Sequence, residues 1–157
     1  MVIVRHDQKN QAIPDYRHWQ VPFGRRFRSL KLWFVLRTYG VEGLQAEIRK
    51  DISLAKQFER LVRADPRFDV MAEVVLGLVT FRLKGDNSMN ERLNKMINDS
   101  RLIHMTPSEV KGQYFLRFAI CAASTQEADV NFAWKVVQEM ADKVLLSTAA
   151  PNGNGAI

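Results

Sequence analysis

The feature that most constrains the fold of this chain is a sustained helical spacing of apolar residues that begins at residue 41. Seven apolar side chains recur at intervals of three or four residues: Val41, Leu44, Ile48, Ile52, Ala55, Phe58 and Val62. This spacing places them on one face of an amphipathic helix. Because a proline disfavours helical geometry at the residue before it, the helix is predicted to end near Asp65 and Pro66.

A shorter helix is predicted before it, because four apolar residues share one face and Gly40 supplies a C-terminal stop. Those four residues are Phe27, Leu30, Trp33 and Phe34. Farther along, strands are predicted at residues 68–74, 78–83, 102–105 and 114–121, and helices at residues 89–98 and from Ser124 onward. Ser124 and Glu127 form a capping box for the last helix. Strand pairs separated by helices predict an α+β domain, an antiparallel sheet with helices packed on one face.

The two ends of the chain have no periodic pattern. Residues 1–22 are predicted to form a loop and linker, residues 23–40 a connecting helix, residues 41–147 the domain, and residues 148–157 a disordered tail. The N-terminus reaches Arg5 without an apolar signal core, and no apolar run approaches the ~20 residues that span a bilayer. A cytoplasmic protein without membrane contact is therefore expected.

Few residues have the type and spacing of a metal-binding, phosphate-binding or catalytic site. The three histidines, His6, His18 and His104, are far apart, and no metal-ligand spacing or glycine-rich phosphate loop occurs. We therefore predict no metal site and interpret His104 as a structural residue in a strand. Cys121 is the only cysteine and is predicted to be an inert thiol in the core.

The net charge of +6 is concentrated in the first 63 residues, which hold 13 Lys and Arg against 6 Asp and Glu. Four of these cations lie where the dipole of the first helix disfavours positive charge: Arg25, Arg26, Arg28 and Lys31. Such a placement suits an anionic partner, or the long side chains cover apolar surface. Nucleic-acid binding is disfavoured, because the nearby Phe27 and Trp33 have the spacing of core residues.

One long segment carries a family signature. Residues 15–31 read DYRHWQVPFGRRFRSLK, which resembles the signature of the aromatic-L-amino-acid decarboxylases, group II enzymes that depend on pyridoxal phosphate. The resemblance continues through LWFV at 32–35, DPRF at 65–68, GLVTFRLKG at 77–85 and FLRFAIC at 115–121. It implies the C-terminal small domain of a fold-type I enzyme, roughly the last third of such a protein.

The resemblance implies a cytosolic homodimer that converts dopa, tyrosine or tryptophan to the amine and carbon dioxide. In that family the lysine that binds pyridoxal 5'-phosphate lies upstream of the segment seen here. No cofactor-binding residue is therefore assigned to this chain, which is expected to be inactive in isolation. An aromatic acetaldehyde synthase of the same family and a truncated, non-enzymatic paralogue are the alternatives.

The resemblance also places individual residues. It equates residues 3–12 with the end of the catalytic loop, with Ile3 at the position of the family's proton-donating tyrosine, so no catalytic residue is assigned with certainty. It places Phe23 and Gly24 in the pocket for the substrate ring. Four arginines are equated with residues that brace the subunit and domain interfaces: Arg17, Arg25, Arg28 and Arg117.

Overall fold

The computed structural model describes residues 26–149, with side chains described as far as Ser147. The chain divides into two units, one ending at Thr38 and one beginning at Tyr39. The elements are α1 (Ser29–Ala64), β1 (Phe68–Val70), β2 (Leu78–Leu83), α2 (Asn87–Asp99), β3 (Thr106–Val110), β4 (Gln113–Ala119) and α3 (Glu127–Ala149). The predicted α+β class is confirmed.

The first unit contains the start of α1, where large apolar side chains are exposed. Leu32, Trp33 and Phe34 each expose more than half of their surface. The ring of Trp33 contacts that of Phe34 edge-on, and the guanidinium of Arg37 lies 5.9 Å from the Trp33 ring centre. A helix that is apolar on all sides is typical of an element buried in a larger molecule.

In the second unit, α1 is interrupted at Gly40, which has φ 64° and ψ −179°. This backbone conformation is strained for residues other than glycine. The interruption coincides with the predicted helix stop. From there α1 continues to Ala64 and buries Leu54 together with three residues of the predicted apolar face, Ala55, Phe58 and Val62. Val41 and Ile48 of that predicted face are exposed.

The four strands form one antiparallel sheet in the order β1-β2-β4-β3. Val79 pairs with Phe118 and Phe81 with Leu116, so the apolar side chains of the central strands share a face. Phe58 of α1 packs on this face, with its ring centre 4.2 Å from that of Phe118 and 5.5 Å from that of Phe81. Trp134 of α3 completes the aromatic core, 5.7 Å from Phe58.

The predicted strand at residues 102–105 is wrong, because the strand begins at Thr106. The side-chain amide of Asn98 accepts a hydrogen bond from the Met105 N–H at 2.9 Å and donates to the Met105 carbonyl at 3.1 Å. Both backbone groups of Met105 are therefore unavailable to a strand ladder. Pro107 is tolerated in β3 because β3 is an edge strand.

Four smaller expectations also fail. β1 ends at Val70 rather than residue 74, and His104 is an exposed loop residue rather than part of a strand. Cys121 lies beyond the end of β4 with an exposed thiol, so it is not a core residue. The last helix begins at Glu127, and the Asp129 carboxylate accepts the Gln126 N–H at 2.9 Å, which moves the cap two residues along the chain.

Candidate functional site

Most residues that the family signature singled out lie outside the described part of the chain. These are Ile3, Arg17, Phe23, Gly24 and Arg25. Arg28 and Arg117 are described, and both are exposed. Arg117 lies in β4 between Thr80 of β2 and Thr106 of β3, and it makes no ion pair within residues 26–149. The predicted interface roles of these arginines stay predictions.

The most extensive polar network in the described region joins the end of α1 to β1 and α3. Asp65 is 92% buried (relative exposure 8%) and accepts hydrogen bonds from Arg67 Nε at 2.9 Å and Nη2 at 2.7 Å. It also accepts the Arg67 backbone N–H at 3.1 Å and Gln138 Nε2 at 3.2 Å. Arg67 donates a further hydrogen bond to Asp142 of α3.

These contacts fix the charges of the network. The hydrogen bonds from Arg67 hold the pKa of Asp65 at about 2, although burial alone would raise it. The same pair raises the pKa of Arg67 above its ordinary value. Asp65 is therefore ionised at neutral pH, with each of its oxygens already accepting hydrogen bonds.

A cleft of about 440 Å³ opens beside this network. Its lining consists of Leu61, Ala64, Asp65, Pro66, Arg67, Trp134 and Gln138. Its charged groups bind each other, so the cleft presents apolar walls and offers no free nucleophile or general base. We interpret the Asp65–Arg67 network as a brace between α1, β1 and α3.

A second cleft of about 400 Å³ lies beside β1, β2 and β4, and Asp69, Arg82, Lys84 and Gln113 are among its lining residues. Arg82 is buried and donates from Nη2 to the Gly85 carbonyl at 2.6 Å. Lys84 Nζ is 3.6 Å from Asp69 Oδ1, and both side chains are more than half exposed. The cleft is thus polar and open to solvent.

Neither a metal site nor a membrane-spanning helix is found in residues 26–149. No group of three or more His, Cys, Asp or Glu side chains is placed to hold a metal ion in residues 26–149. In the same part of the chain, no helix is long and apolar enough to cross a membrane.

The comparisons with known proteins agree with this fold. Residues 3–84 match the family model described as the pyridoxal-dependent decarboxylase conserved domain. The chain is 52% identical over 145 residues to the aromatic-L-amino-acid decarboxylase of Rattus norvegicus, a match that covers 92% of this chain. It covers 30% of that relative, so the chain spans less than a third of the relative's length.

Two solved structures carry the same arrangement of helices and strands. The tryptophan decarboxylase of Catharanthus roseus, in complex with L-tryptophan, matches with a TM-score of 0.72 and 41% identity, over 83% of this chain and 28% of that one. The 4-hydroxyphenylacetaldehyde synthase of Rhodiola rosea matches with a TM-score of 0.71 and 34% identity, over 83% and 29%. The fold is thus that of the pyridoxal-phosphate decarboxylases. The chain belongs to the pyridoxal-dependent decarboxylase family.

The described residues do not fit pyridoxal phosphate. A lysine that binds this cofactor covalently needs an enclosed site beside groups that hold the phosphate and the ring. The described lysines are exposed except for Lys50, whose Nζ donates to the Ala123 carbonyl at 2.6 Å and lies 3.1 Å from Glu47. Neither cleft combines a lysine with an enclosed wall, so no step of the reaction is assigned to these residues.

Asp65, Pro66 and Arg67 belong to the segments that carry the family resemblance, but the network that they form was not predicted from the sequence. The opposite charges two residues apart before a strand were a signal for the Asp65–Arg67 pair. Asp142 and Gln138 lie more than 70 residues away along the chain and carry no local signal of the contact.

Proposed function

We propose that this chain supplies the C-terminal small domain of an aromatic-L-amino-acid decarboxylase. The proposed enzyme is a cytosolic homodimer that uses pyridoxal phosphate to convert dopa, tyrosine or tryptophan to the amine and carbon dioxide. The observation that carries the proposal is the 52% identity to the rat decarboxylase over 92% of this chain.

We infer that the chain is inactive in isolation. The cofactor supplies the electron sink for the carbanion that forms when carbon dioxide leaves, and the protein must hold and orient it. The described residues have no enclosed lysine for that purpose. The exposed apolar helix at the start of α1 also supports a role as part of a larger molecule.

A second function on the same scaffold is an aromatic acetaldehyde synthase. The specific support is the likeness to the Rhodiola rosea 4-hydroxyphenylacetaldehyde synthase, together with Ile3 at the position that the resemblance equates with the family's catalytic tyrosine. Isoleucine has no proton to donate, so it cannot act as a general acid. A truncated, non-enzymatic relative is the third possibility.

A chimeric enzyme tests the proposal. The 145-residue segment of the rat decarboxylase that matches this chain is replaced by this chain, and L-dopa is supplied with pyridoxal phosphate. We expect release of carbon dioxide and dopamine. Aldehyde, ammonia and peroxide released together with carbon dioxide, at the expense of dissolved oxygen and water, would favour the synthase. A folded chimera without either activity would contradict both enzymatic proposals.

A further inference from the structure

Arg82 is a buried cation on the sheet face that points away from Phe58 of α1. Phe81 packs on Phe58 with its ring centre 5.5 Å away, and successive residues of a strand point to opposite faces. Asp69 of β1 pairs with Arg82 across the strands, so their two side chains share the second face. The relative exposure of Arg82 is only 7%, and an arginine buried to this extent is normally paired with an acid.

No acid pairs with Arg82 in the part of the chain that the structure describes. The carboxylate of Asp69 lies beside Lys84 instead, with Oδ1 3.6 Å from Nζ, and the carboxylate of Asp86 caps the start of α2. Among the described residues, Arg82 donates one hydrogen bond, to the Gly85 carbonyl at 2.6 Å, and makes no ion pair. A buried charge without a counter-charge destabilises the fold, so Arg82 is suited to an anion from outside the described residues.

The free N–H groups of Arg82 open onto the cleft of about 400 Å³ beside β1, β2 and β4, which we name the Arg82 cleft. Within the described residues, no guanidinium nitrogen of Arg82 that lacks a partner is sealed from solvent. Lys84 and Gln113 line the same cleft, because the register that pairs Phe81 with Leu116 places them opposite each other on the face of Arg82. Neither of these two side chains makes a hydrogen bond in the described part of the chain, so both are available to a ligand.

We propose that the Arg82 cleft binds a carboxylate group. The parallel N–H groups of a guanidinium match the two oxygens of a carboxylate, Lys84 adds a second positive charge, and the Gln113 amide supplies a neutral donor. A doubly charged phosphate fits less well, because the nearby carboxylates of Asp69 and Asp86 repel it more strongly than they repel a single charge. The inference does not rest on the proposed function, since the cleft is formed by this chain alone.

An acetate titration of the ¹⁵N-labelled chain, followed by nuclear magnetic resonance at about pH 7.5, tests the inference. Sodium chloride at the same ionic strength is the reference, because it screens charge without offering a carboxylate. We expect saturable shifts of the backbone amide signals of Gly85 and Gln113 with acetate, with a Kd of about 1–20 mM. Inorganic phosphate, titrated in the same way, should bind more weakly than acetate.

Three variants assign the binding to the cleft. Arg82→Lys keeps the positive charge but removes the paired N–H groups, so acetate affinity should fall about tenfold or more. Lys84→Gln, at an exposed side chain, should weaken acetate binding about threefold, and it keeps the test valid if the buried variant does not fold. Lys95→Gln, at an exposed lysine of α2, is the matched control and should leave acetate affinity unchanged.

Equal shifts with acetate and chloride, or acetate binding that Arg82→Lys and Lys84→Gln leave unchanged, would overturn the site. Phosphate that binds more tightly than acetate would overturn the choice of a carboxylate.

The rat chimera, titrated in the same way, identifies the source of the carboxylate. Acetate that still binds the chimera would assign the cleft to a small free acid. Acetate that is excluded from a chimera destabilised by Arg82→Lys would assign it to an acidic side chain of the rest of the enzyme. Exclusion without such destabilisation would overturn the inference, and none of these outcomes depends on enzymatic activity.

Discussion

Asp65 and Arg67 show how two residues of a signature can act as a brace. Asp65 accepts four hydrogen bonds, three of them from Arg67 and one from Gln138. Both oxygens accept hydrogen bonds from Arg67, and Oδ2 also accepts one from Gln138 of α3, so the carboxylate joins the end of α1 to two other parts of the fold. Because the charged form receives these hydrogen bonds, folding favours ionised Asp65 over its protonated form.

The pKa of Asp65 predicts how stability changes with pH. Its folded-state pKa of about 2 lies below the ordinary value of 3.8, so the contribution is present above pH 4 and is lost as pH falls through 2. We expect wild type to lose about 2 kcal/mol more of its unfolding free energy between pH 5 and pH 2 than Asp65→Asn loses. Urea denaturation at each pH measures this difference, and parallel pH profiles would contradict the brace.

Asn90 is a second residue whose side-chain hydrogen bonds stabilise the fold. It is fully buried, accepts the Leu83 N–H at 2.8 Å and donates to the Leu83 and Asp86 carbonyls at 2.9 and 3.0 Å. We expect Asn90→Ala to lower the unfolding free energy by about 3 kcal/mol, because the Leu83 groups lose their partners. Asn131→Ala, at an exposed residue whose side chain accepts a hydrogen bond from Gln57, should cost less than about 0.5 kcal/mol. Equal losses in urea denaturation would refute this role for Asn90.

At the scale of elements, the apolar spacing in the sequence predicted part of the core of the folded domain. Phe58 and Val62 of α1 are buried on the face where their periodicity places them. β3 escaped prediction because its sequence, TPSEV, is polar and contains Pro107, and its start is set by the distant side chain of Asn98. Only the Asp65–Arg67 pair of the brace could be predicted, because these two residues are close in sequence whereas Asp142 lies in another helix.

A substitution at Gly77 tests the close contact between the loop before β2 and the end of β4. Gly77→Ala should lower the unfolding free energy by about 1–3 kcal/mol, because the new Cβ meets the Ile120 backbone carbonyl rather than a movable side chain. Gly43→Ala is the matched control. Its Cβ would lie 3.5 Å from Tyr39 Cβ, an ordinary contact, and alanine favours the helix by up to about 1 kcal/mol. Thermal denaturation measures both, and a Gly77→Ala variant as stable as wild type would show that the loop is free to move.

At the scale of the whole molecule, the described residues include no lysine in an enclosed site, and we propose that another part of the enzyme holds the cofactor. Family membership could be predicted from the signature in residues 15–31 and from the later matching segments. The predicted pocket residues Phe23 and Gly24 lie outside the described residues. What the structure adds is the brace at Asp65.

The most direct test of the central claim, that this chain needs the rest of a decarboxylase to hold its cofactor, is a spectroscopic titration. The purified 157-residue chain is mixed with pyridoxal phosphate, its absorbance is recorded, and borohydride is added before peptide mapping by mass spectrometry. We expect no stoichiometric absorbance band and only scattered labelling of exposed lysines. One stoichiometric adduct on a single lysine would contradict it, because the chain would then contain a cofactor site of its own.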